Sequence, residues 1–181
     1  MHELREYRGV LHLMLRDDGV FPNSERYPLL LYRSISEMGD AVSILAEVSA
    51  SSIELLFQAN EWGGSWRNGI YGMHHYHSTA HEVLGVYSGS ATVQLGGEEG
   101  VILDITAGDV VVIPAGVAHK RLSSTGPFSV VGAYPAGQSP DMNYGRAGER
   151  PGTDGKIRKV SRPSYDPVLG PQGPLLDLWP V

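Results

Sequence analysis

The stretch GIYGMHHYHSTAHEVLGVYSG, residues 69–89, decides the fold, because it carries four of the chain's seven histidines within eight positions. Successive side chains of a strand point to opposite faces, so His75 and His77 share one face while His74 and Tyr76 share the other. Glu82 follows near the start of the next predicted strand. Two adjacent imidazoles and a carboxylate are ligands that a divalent metal accepts.

A second stretch, GDVVVIPAGVAH at residues 108–119, offers a third imidazole. Pro114 and Gly116 predict a tight turn just before a strand that bears His119. Three imidazoles and one carboxylate suit one divalent ion such as Fe, Mn, Ni, Co or Zn, and they leave coordination positions open for a substrate. Two alternatives stay open: His81 replaces Glu82 if the spacing slips by one, or the histidines only form hydrogen bonds in a barrel without metal.

Composition limits the classes of function. With 181 residues, of which 41% are hydrophobic, the chain can bury one sizeable core. A net charge of -6 argues against nucleic-acid and membrane partners, so we expect a small molecule as partner. The absence of cysteine excludes disulfides and thiolate ligands. The charged N-terminus does not resemble a signal peptide and no apolar run is long enough to span a membrane, so we expect a cytoplasmic protein.

The pattern along the chain predicts a mainly β fold. Residues 27–33 indicate an edge strand, and the spacing between Met38 and Trp62 predicts two short helices, the second around Ile53 to Phe57 with Ser51 or Ser52 as its cap. Seven short apolar runs follow between residues 70 and 135. The gaps between them are too short for crossover helices, which favours an antiparallel barrel or sandwich.

We expect one structural domain with three parts. Residues 1–68 supply N-terminal strands and helices that pack on the barrel, residues 69–135 form the barrel core, and residues 136–181 form an extended tail rich in Pro and Gly. The tail ends in GPLLDLWPV, which predicts an apolar anchor on the barrel.

Both histidine stretches resemble motifs of the cupin superfamily. Gly69-x5-His75-x-His77-x4-Glu82-x6-Gly89 is similar to the first cupin motif at every position, and Gly108-x5-Pro114-x-Gly116-x2-His119 is similar to the second. Ser123 stands where the family usually has Asn. The resemblance implies a double-stranded β-helix, or jelly-roll barrel, with a metal held by His75, His77, Glu82 and His119. It also implies a homodimer.

Four further stretches resemble a narrower group, the small bacterial single-domain cupins of the YjlB type: DDGVFPN, WGGSWRNGIY, HHYHSTAHEVLGV and GAYPAGQSPD. This resemblance implies a fold and a metal site and leaves the substrate open.

Other side chains are candidates for the pocket. Tyr71 and Met73 share the face of His75 and His77, and Gln94 shares a strand face with Thr92. Arg121 alternates in phase with His119, so its guanidinium either clamps a substrate carboxylate or points outward into solvent. His74 and His81 either face outward or lie behind the metal ligands and help to orient them.

Two functions from different classes fit these residues. The first is a metalloenzyme acting on a small oxygen-rich or carboxylated molecule, as a dioxygenase, isomerase or decarboxylase. The sequence cannot separate these reactions, because the same four ligands serve all of them, and it assigns no catalytic residue beyond the ligands. The alternative is a non-catalytic cupin that binds a small molecule.

Overall fold

The computed structural model describes residues 3–38, 42 and 47–181. Eight strands dominate it: β1 (Arg5–Tyr7), β2 (Val10–Leu15), β3 (Ser24–Tyr32), β4 (Trp62–Asn68), β5 (Glu82–Leu95), β6 (Val101–Thr106), β7 (Val110–Ile113) and β8 (His119–Pro135). Three short helices accompany them: α1 (Ala50–Ala59), α2 (Gly152–Ile157) and α3 (Leu175–Leu178), with a 3-10 turn at Ile35–Glu37. In the parts of the chain described, every helix is too short or too polar to span a lipid bilayer.

The strands form one antiparallel sheet in the order β1-β2-β3-β7-β5-β8-β4. Strand β6 pairs with the C-terminal half of β5. The 14-residue β5 and the 17-residue β8 pair along most of their lengths. This long pairing lets the sheet curl into a jelly-roll barrel. The predicted mainly antiparallel barrel is confirmed. Strands from residues 1–68 take part in the same sheet, since β3 pairs with β7 and β4 pairs with β8.

Two predicted turns are kinks within long strands. Four of the predicted runs are the halves of β5 and β8, which continue through Gly89 and Gly126 with register shifts. Gly89 has a φ of 69°, and a Cβ there would lie 2.9 Å from the carbonyl oxygen of Thr125. Only glycine therefore allows β5 to bend so close to β8.

The histidine segment itself is not the continuous strand that its alternation predicts. In the described structure it forms only isolated bridges, between His75 and His119 and between Tyr76 and Asn143. These two partners lie on different segments, so the bridges do not extend into a ladder. The first seven residues of the stretch WGGSWRNG form β4, which pairs with β8.

Helix α1 begins at a capping box. The Ser49 hydroxyl accepts a hydrogen bond from the backbone N–H of Ser52 at 3.2 Å, and the Ser52 hydroxyl accepts one from the N–H of Ser49 at 3.0 Å. The predicted cap at Ser51 or Ser52 is therefore wrong, although Ser52 takes part. The other predicted helix, around Ala41 to Val48, falls mostly outside the described residues.

Alternation along β5 separates two apolar clusters. Leu84 and Val86 belong to the cluster inside the barrel, and Val83 belongs to a cluster on the outer face. Glu82 lies two residues before Leu84 and therefore on the same face of β5, so its carboxylate points into the barrel. The outer cluster is covered by Ile53 and Phe57 of α1 and by the C-terminal residues Val168, Leu175 and Trp179.

The C-terminal residues are packed on the barrel. The buried carboxylate of Asp166 accepts hydrogen bonds from three backbone N–H groups and from the Tyr32 hydroxyl of β3, at 2.6 to 3.1 Å. Trp179 is buried, stacks on Tyr27 with ring centroids 4.7 Å apart, and donates from its indole to the carbonyl of Pro28 at 2.9 Å. The predicted apolar anchor therefore docks beside β3.

Candidate metal centre

Three buried histidines converge at one end of the barrel. The ligand nitrogens of His75, His77 and His119 all lie within 4.8 Å of one another. The bridge between His75 and His119 places those rings 4.0 Å apart, and both rings lie 5.8 Å from that of His77. The fold thus brings together His75 and His119, which are 44 positions apart along the chain.

Each of these imidazoles is oriented by a backbone carbonyl. The Nδ1 atoms of His75, His77 and His119 lie 3.2, 2.5 and 3.2 Å from the carbonyl oxygens of Met73, Asp141 and Val117. A carbonyl oxygen can only accept a hydrogen bond, so we assign the proton of each neutral ring to Nδ1. The three Nε2 lone pairs are then free as ligands, which is the usual arrangement of metal-binding histidines.

Glu82 faces the same point. Its Oε2 atom lies 3.2 Å from Nε2 of His119 and 3.4 Å from Nε2 of His77. Within the described residues, this buried oxygen finds no donor in hydrogen-bonding geometry. Buried acceptors facing one another need a cation between them, either a proton or a metal ion. The donor set therefore fits a divalent metal with nitrogen and oxygen ligands.

The pKa values of these groups reflect burial and mutual charge. Burial, with the charge of His119, lowers the pKa of His75 to about 3. Burial alone would lower the pKa of His77, but the negative charge of the nearby Glu82 carboxylate raises it. Burial alone would raise the pKa of Glu82, but its interactions with His119 and His77 hold that pKa well below its usual range. Glu82 is therefore a carboxylate at neutral pH.

Tyr134 fixes the other oxygen of this carboxylate. Its hydroxyl donates to Oε1 of Glu82 at 3.2 Å and accepts a hydrogen bond from the indole Nε1 of Trp66 at 2.8 Å. Burial and the charge of Glu82 raise the pKa of Tyr134, so the phenol keeps its proton. The two hydrogen bonds leave Oε2 directed at the imidazoles.

Residues 138–143, here called the strap, lie along the histidine segment. The Asp141 carboxylate accepts hydrogen bonds from the backbone N–H of Ser78 at 2.6 Å and from its hydroxyl at 2.5 Å. Asn143 and Tyr76 exchange backbone hydrogen bonds at 2.9 and 3.0 Å. These contacts place the Asp141 carbonyl against His77, so the C-terminal third of the chain supplies part of the site.

A cavity of about 310 Å³ opens onto the three histidines and Glu82. Its wall is mainly apolar and aromatic, and it comes from β4, the segment after it, β5, β8 and the strap. The remaining lining residues are Trp66, Arg67, Asn68, Gly69, Ile70, Tyr71, Leu84, Tyr134 and Met142. The volume is at the lower end of the range of about 300–1,000 Å³ that is usual for ligand pockets.

Of the predicted pocket residues, only Tyr71 lines this cavity, with its ring 5.2 Å from that of His75. Met73 is 58% exposed, although its carbonyl orients His75. Gln94 is buried away from the cavity and donates to the carbonyl of Glu98. Arg121 lines a neighbouring groove, where its guanidinium donates to the Ser124 hydroxyl at 3.4 Å.

His81 and His74 lie away from the ligand cluster. His81 is buried between Tyr27 and Trp179, where Nδ1 accepts the N–H of Ala115 at 2.9 Å and Nε2 lies 3.2 Å from the carbonyl of Ser161. Both ring nitrogens of His81 are therefore occupied by contacts with the backbone. His81 neither replaces Glu82 nor lines the cavity at the three histidines. His74 packs on Phe21 on the opposite face of the segment, with ring centroids 5.1 Å apart.

Sequence reasoning missed Tyr134, Asp141 and Met142. Tyr134 and Asp141 act through contacts with residues 52 and 64 positions away, which no local pattern indicates. Trp66 also contributes, since its indole N–H donates a hydrogen bond to the Tyr134 hydroxyl. The alternation of side chains along β8 could have indicated which face of the strand Tyr134 occupies. It could not have indicated that Tyr134 contacts Glu82.

Comparison with known proteins places this fold and site in a family. The model of the cupin domain matches residues 67–131, which include all three histidines and Glu82. The chain is 39% identical over 164 residues to the uncharacterized protein YjlB of Bacillus subtilis (strain 168), covering 90% of this chain and 92% of YjlB. The chain therefore belongs to the cupin family and, within it, to the group of YjlB.

Solved structures resemble it more distantly. A cadmium-containing acireductone dioxygenase from Bacillus anthracis is 13% identical with a TM-score of 0.39, over 62% of this chain and 82% of that one. A variant of oxalate decarboxylase from Bacillus subtilis is 17% identical with a TM-score of 0.37, over 67% of this chain and 29% of the decarboxylase. This chain thus spans under a third of the decarboxylase. Identities and TM-scores this low say nothing about the chemistry of this chain.

Proposed function

We propose that this cupin binds one divalent metal ion through His75, His77, His119 and Glu82, and acts as a metalloenzyme on a small oxygen-containing molecule. One observation carries the proposal: three buried imidazoles lie close together with Nδ1 against a carbonyl, and Nε2 of His77 and of His119 lies 3.4 and 3.2 Å from a buried carboxylate oxygen that lacks a donor among the described residues. Such an acceptor cluster is costly unless a cation joins its members.

A metal bound there supplies Lewis acidity or, if it is a redox ion, a site for oxygen chemistry. The protein contributes the rest. Four ligands leave coordination positions open toward the cavity, and the apolar wall formed by Ile70, Leu84 and Met142 restricts water around them. Tyr134 and the strap hold the ligands in place, so little reorganisation is needed when a substrate arrives.

The first test is elemental analysis of tag-free protein purified without chelator. We expect about one metal ion per chain in the parent and little in His77→Ala, because one imidazole ligand is lost. His12→Ala is the matched control, since His12 lies on β2 away from the site and should leave the metal content unchanged. Equal metal in the parent and His77→Ala would contradict the proposal, provided circular dichroism shows that both variants are folded.

The metal identity then selects the activity assay. Iron leads to oxygen-uptake measurements, whereas nickel, manganese or zinc leads to isomerase and decarboxylase assays on small ketones and acids. The enzymatic part of the proposal fails if metal-loaded protein turns over none of these substrates.

A non-catalytic binding cupin is the second candidate, and one observation favours it. Among the described residues that line the cavity, no carboxylate besides Glu82 and no histidine besides the three ligands is available as a general base. Turnover that disappears in folded His77→Ala would exclude this candidate. Tight binding of a small molecule without turnover would support it.

A further inference from the structure

A second cavity, of about 720 Å³, lies elsewhere on the barrel. Among the described residues, it shares no lining side chain with the cavity at the three histidines. Its wall comes from the first residues of β3 and the loop before them, from His81 and Ala115, and from α2 with residues on either side of that helix. Its volume lies within the range that is usual for ligand pockets, so we asked what it could hold.

The charged side chains of this cavity are unevenly paired. Three arginines and three carboxylates line it. The Arg150 guanidinium holds two of the carboxylates, because it forms a two-point pair with Asp17 and a hydrogen bond to Asp154 at 2.9 Å. In the described parts of the chain, the other two arginines, Arg26 and Arg158, form no ion pair. Two guanidinium groups are therefore available to an anion from outside the chain.

Arg26 is held in place by an aromatic ring. Its guanidinium carbon lies 4.8 Å from the centroid of the Tyr27 ring, and that ring stacks on Trp179. A guanidinium that packs on a ring through its face keeps its N–H groups free in its own plane. Arg26 therefore offers a fork of donors whose position is already restricted, which reduces the entropy lost when a ligand binds.

Two hydroxyl groups of the wall also have unused protons. The Ser24 hydroxyl accepts the backbone N–H of Tyr27 at 2.9 Å, but its own proton meets no acceptor in the described structure. The Tyr27 hydroxyl is buried and has no partner among the described residues, which is costly unless a polar group from outside satisfies it. Of the lining carboxylates, Glu25 alone lacks an ion pair within the described residues. Unused side-chain donors therefore outnumber unused carboxylates, which favours a ligand rich in acceptor oxygens.

From these observations we infer that the second cavity binds a small molecule through one carboxylate or phosphate group. Arg26 and Arg158 donate charge-assisted hydrogen bonds to its oxygens, and the Ser24 hydroxyl adds a neutral one. Ile157 and Pro180 of the wall give the rest of the ligand an apolar contact. Because the lining arginines and carboxylates are equal in number, a single anionic group fits better than a polyanion. This site does not depend on the proposed metal.

The test is titration calorimetry of the full chain with three probes that share a phenyl ring. Benzoate carries a carboxylate, phenyl phosphate carries a phosphate, and benzamide is neutral. We expect one of the two anions to bind about tenfold more tightly than benzamide, because only an anion forms charge-assisted hydrogen bonds with the guanidinium groups. The anion that binds more tightly identifies the group that the cavity takes.

Two variants make the test specific. Arg158→Ala should weaken binding of that anion by about tenfold, because it removes a charge-assisted hydrogen bond. The variant should fold, since Arg158 is exposed and forms no ion pair in the part of the chain that the structure describes. Lys159→Ala is the matched control. It removes the same charge one position away, from an exposed residue that does not line the cavity, and should change the affinity little.

His77→Ala shows which site the anion occupies. This variant lacks a ligand of the proposed metal centre, so anion binding should persist in it, with folding checked by circular dichroism. Binding that disappears in His77→Ala and persists in Arg158→Ala would place the anion at the metal centre and overturn the inference. Equal affinities for all three probes, equal losses in Arg158→Ala and Lys159→Ala, or no binding of either anion at millimolar concentration would also overturn it. None of these three results bears on the proposed metal site.

Discussion

The hydroxyl of Tyr134 lies 3.2 Å from Oε1 of Glu82, the carboxylate whose other oxygen faces the imidazoles. Removing this hydroxyl frees the carboxylate to rotate, so we expect Tyr134→Phe to weaken metal affinity by about 10- to 100-fold. Competition with a chromophoric chelator measures the change.

Tyr71→Phe is the matched control, because Tyr71 also lines the cavity but its ring packs on His75. It should bind metal like the parent. Equal metal affinities for Tyr134→Phe and the parent would show that Glu82 is either not a ligand or is oriented without the phenol.

The strap gives a second prediction. Asp141→Ala removes the acceptor of the Ser78 N–H and hydroxyl, leaving those partly buried donors unsatisfied. We expect the free energy of unfolding to fall by about 1–3 kcal/mol, and metal affinity to fall because the carbonyl against His77 loses its anchor. Urea unfolding and chelator competition measure the two effects. Lys156→Ala removes only an exposed ammonium from Asp141 and should change both quantities little.

The pair of Asp17 and Arg150 gives a pH-dependent prediction. The hydrogen bond from Arg150 lowers the pKa of Asp17 below its usual value of 3.8. Because the folded pKa is below the unfolded one, the pair stabilises the protein above pH 3.8, and this contribution is lost as the pH falls through the folded pKa.

We therefore expect Asp17→Asn to cost about 0.2–1 kcal/mol at pH 7, since the pair is partly exposed. The difference from the parent should shrink in urea titrations below pH 3.8. Glu3→Gln, which breaks an exposed pair with Arg5, should have little effect at either pH. If the loss of unfolding free energy in Asp17→Asn persisted in acid, the Asp17 side chain would stabilise the fold through hydrogen bonding or packing and not through its charge.

Gly85 gives a packing prediction. A Cβ at this position of β5 would lie 2.7 Å from Cγ2 of Ile53 and 3.0 Å from Cζ of Phe57, so α1 would have to move. We expect Gly85→Ala to lower the free energy of unfolding by about 1–3 kcal/mol, as overpacking does. Gly63→Ala on β4 meets no atom within 4 Å among the described residues and should be close to neutral. Equal unfolding midpoints for the two variants would show that α1 packs loosely on the sheet.

These contacts explain which features could be predicted from sequence. His75, His77 and Glu82 share local spacing, and the alternation of side chains along strands carries that spacing into the barrel. The antiparallel class followed from short gaps between apolar runs. The bends at Gly89 and Gly126 could not be told from turns, because both need glycine, and only pairing of β5 with β8 decides between them.

Other features depend on contacts that a local pattern does not contain. The role of His81 is set by Tyr27, Trp179 and Ser161, which come from distant segments. The cap residue depends on where helix α1 begins. Serines stand at positions 49, 51 and 52, and the sequence pattern does not decide between them. The expected homodimer stays a prediction.

The position of the strap has a consequence for synthesis. A ribosome makes His77 64 residues before Asp141, whose carbonyl orients its ring. While the nascent chain is still growing, the imidazoles of His75 and His77 are therefore present before the carbonyl that orients His77 has been made. If the proposed metal ion is bound before residues 138–143 have left the ribosomal tunnel, it is held without the contact that orients His77.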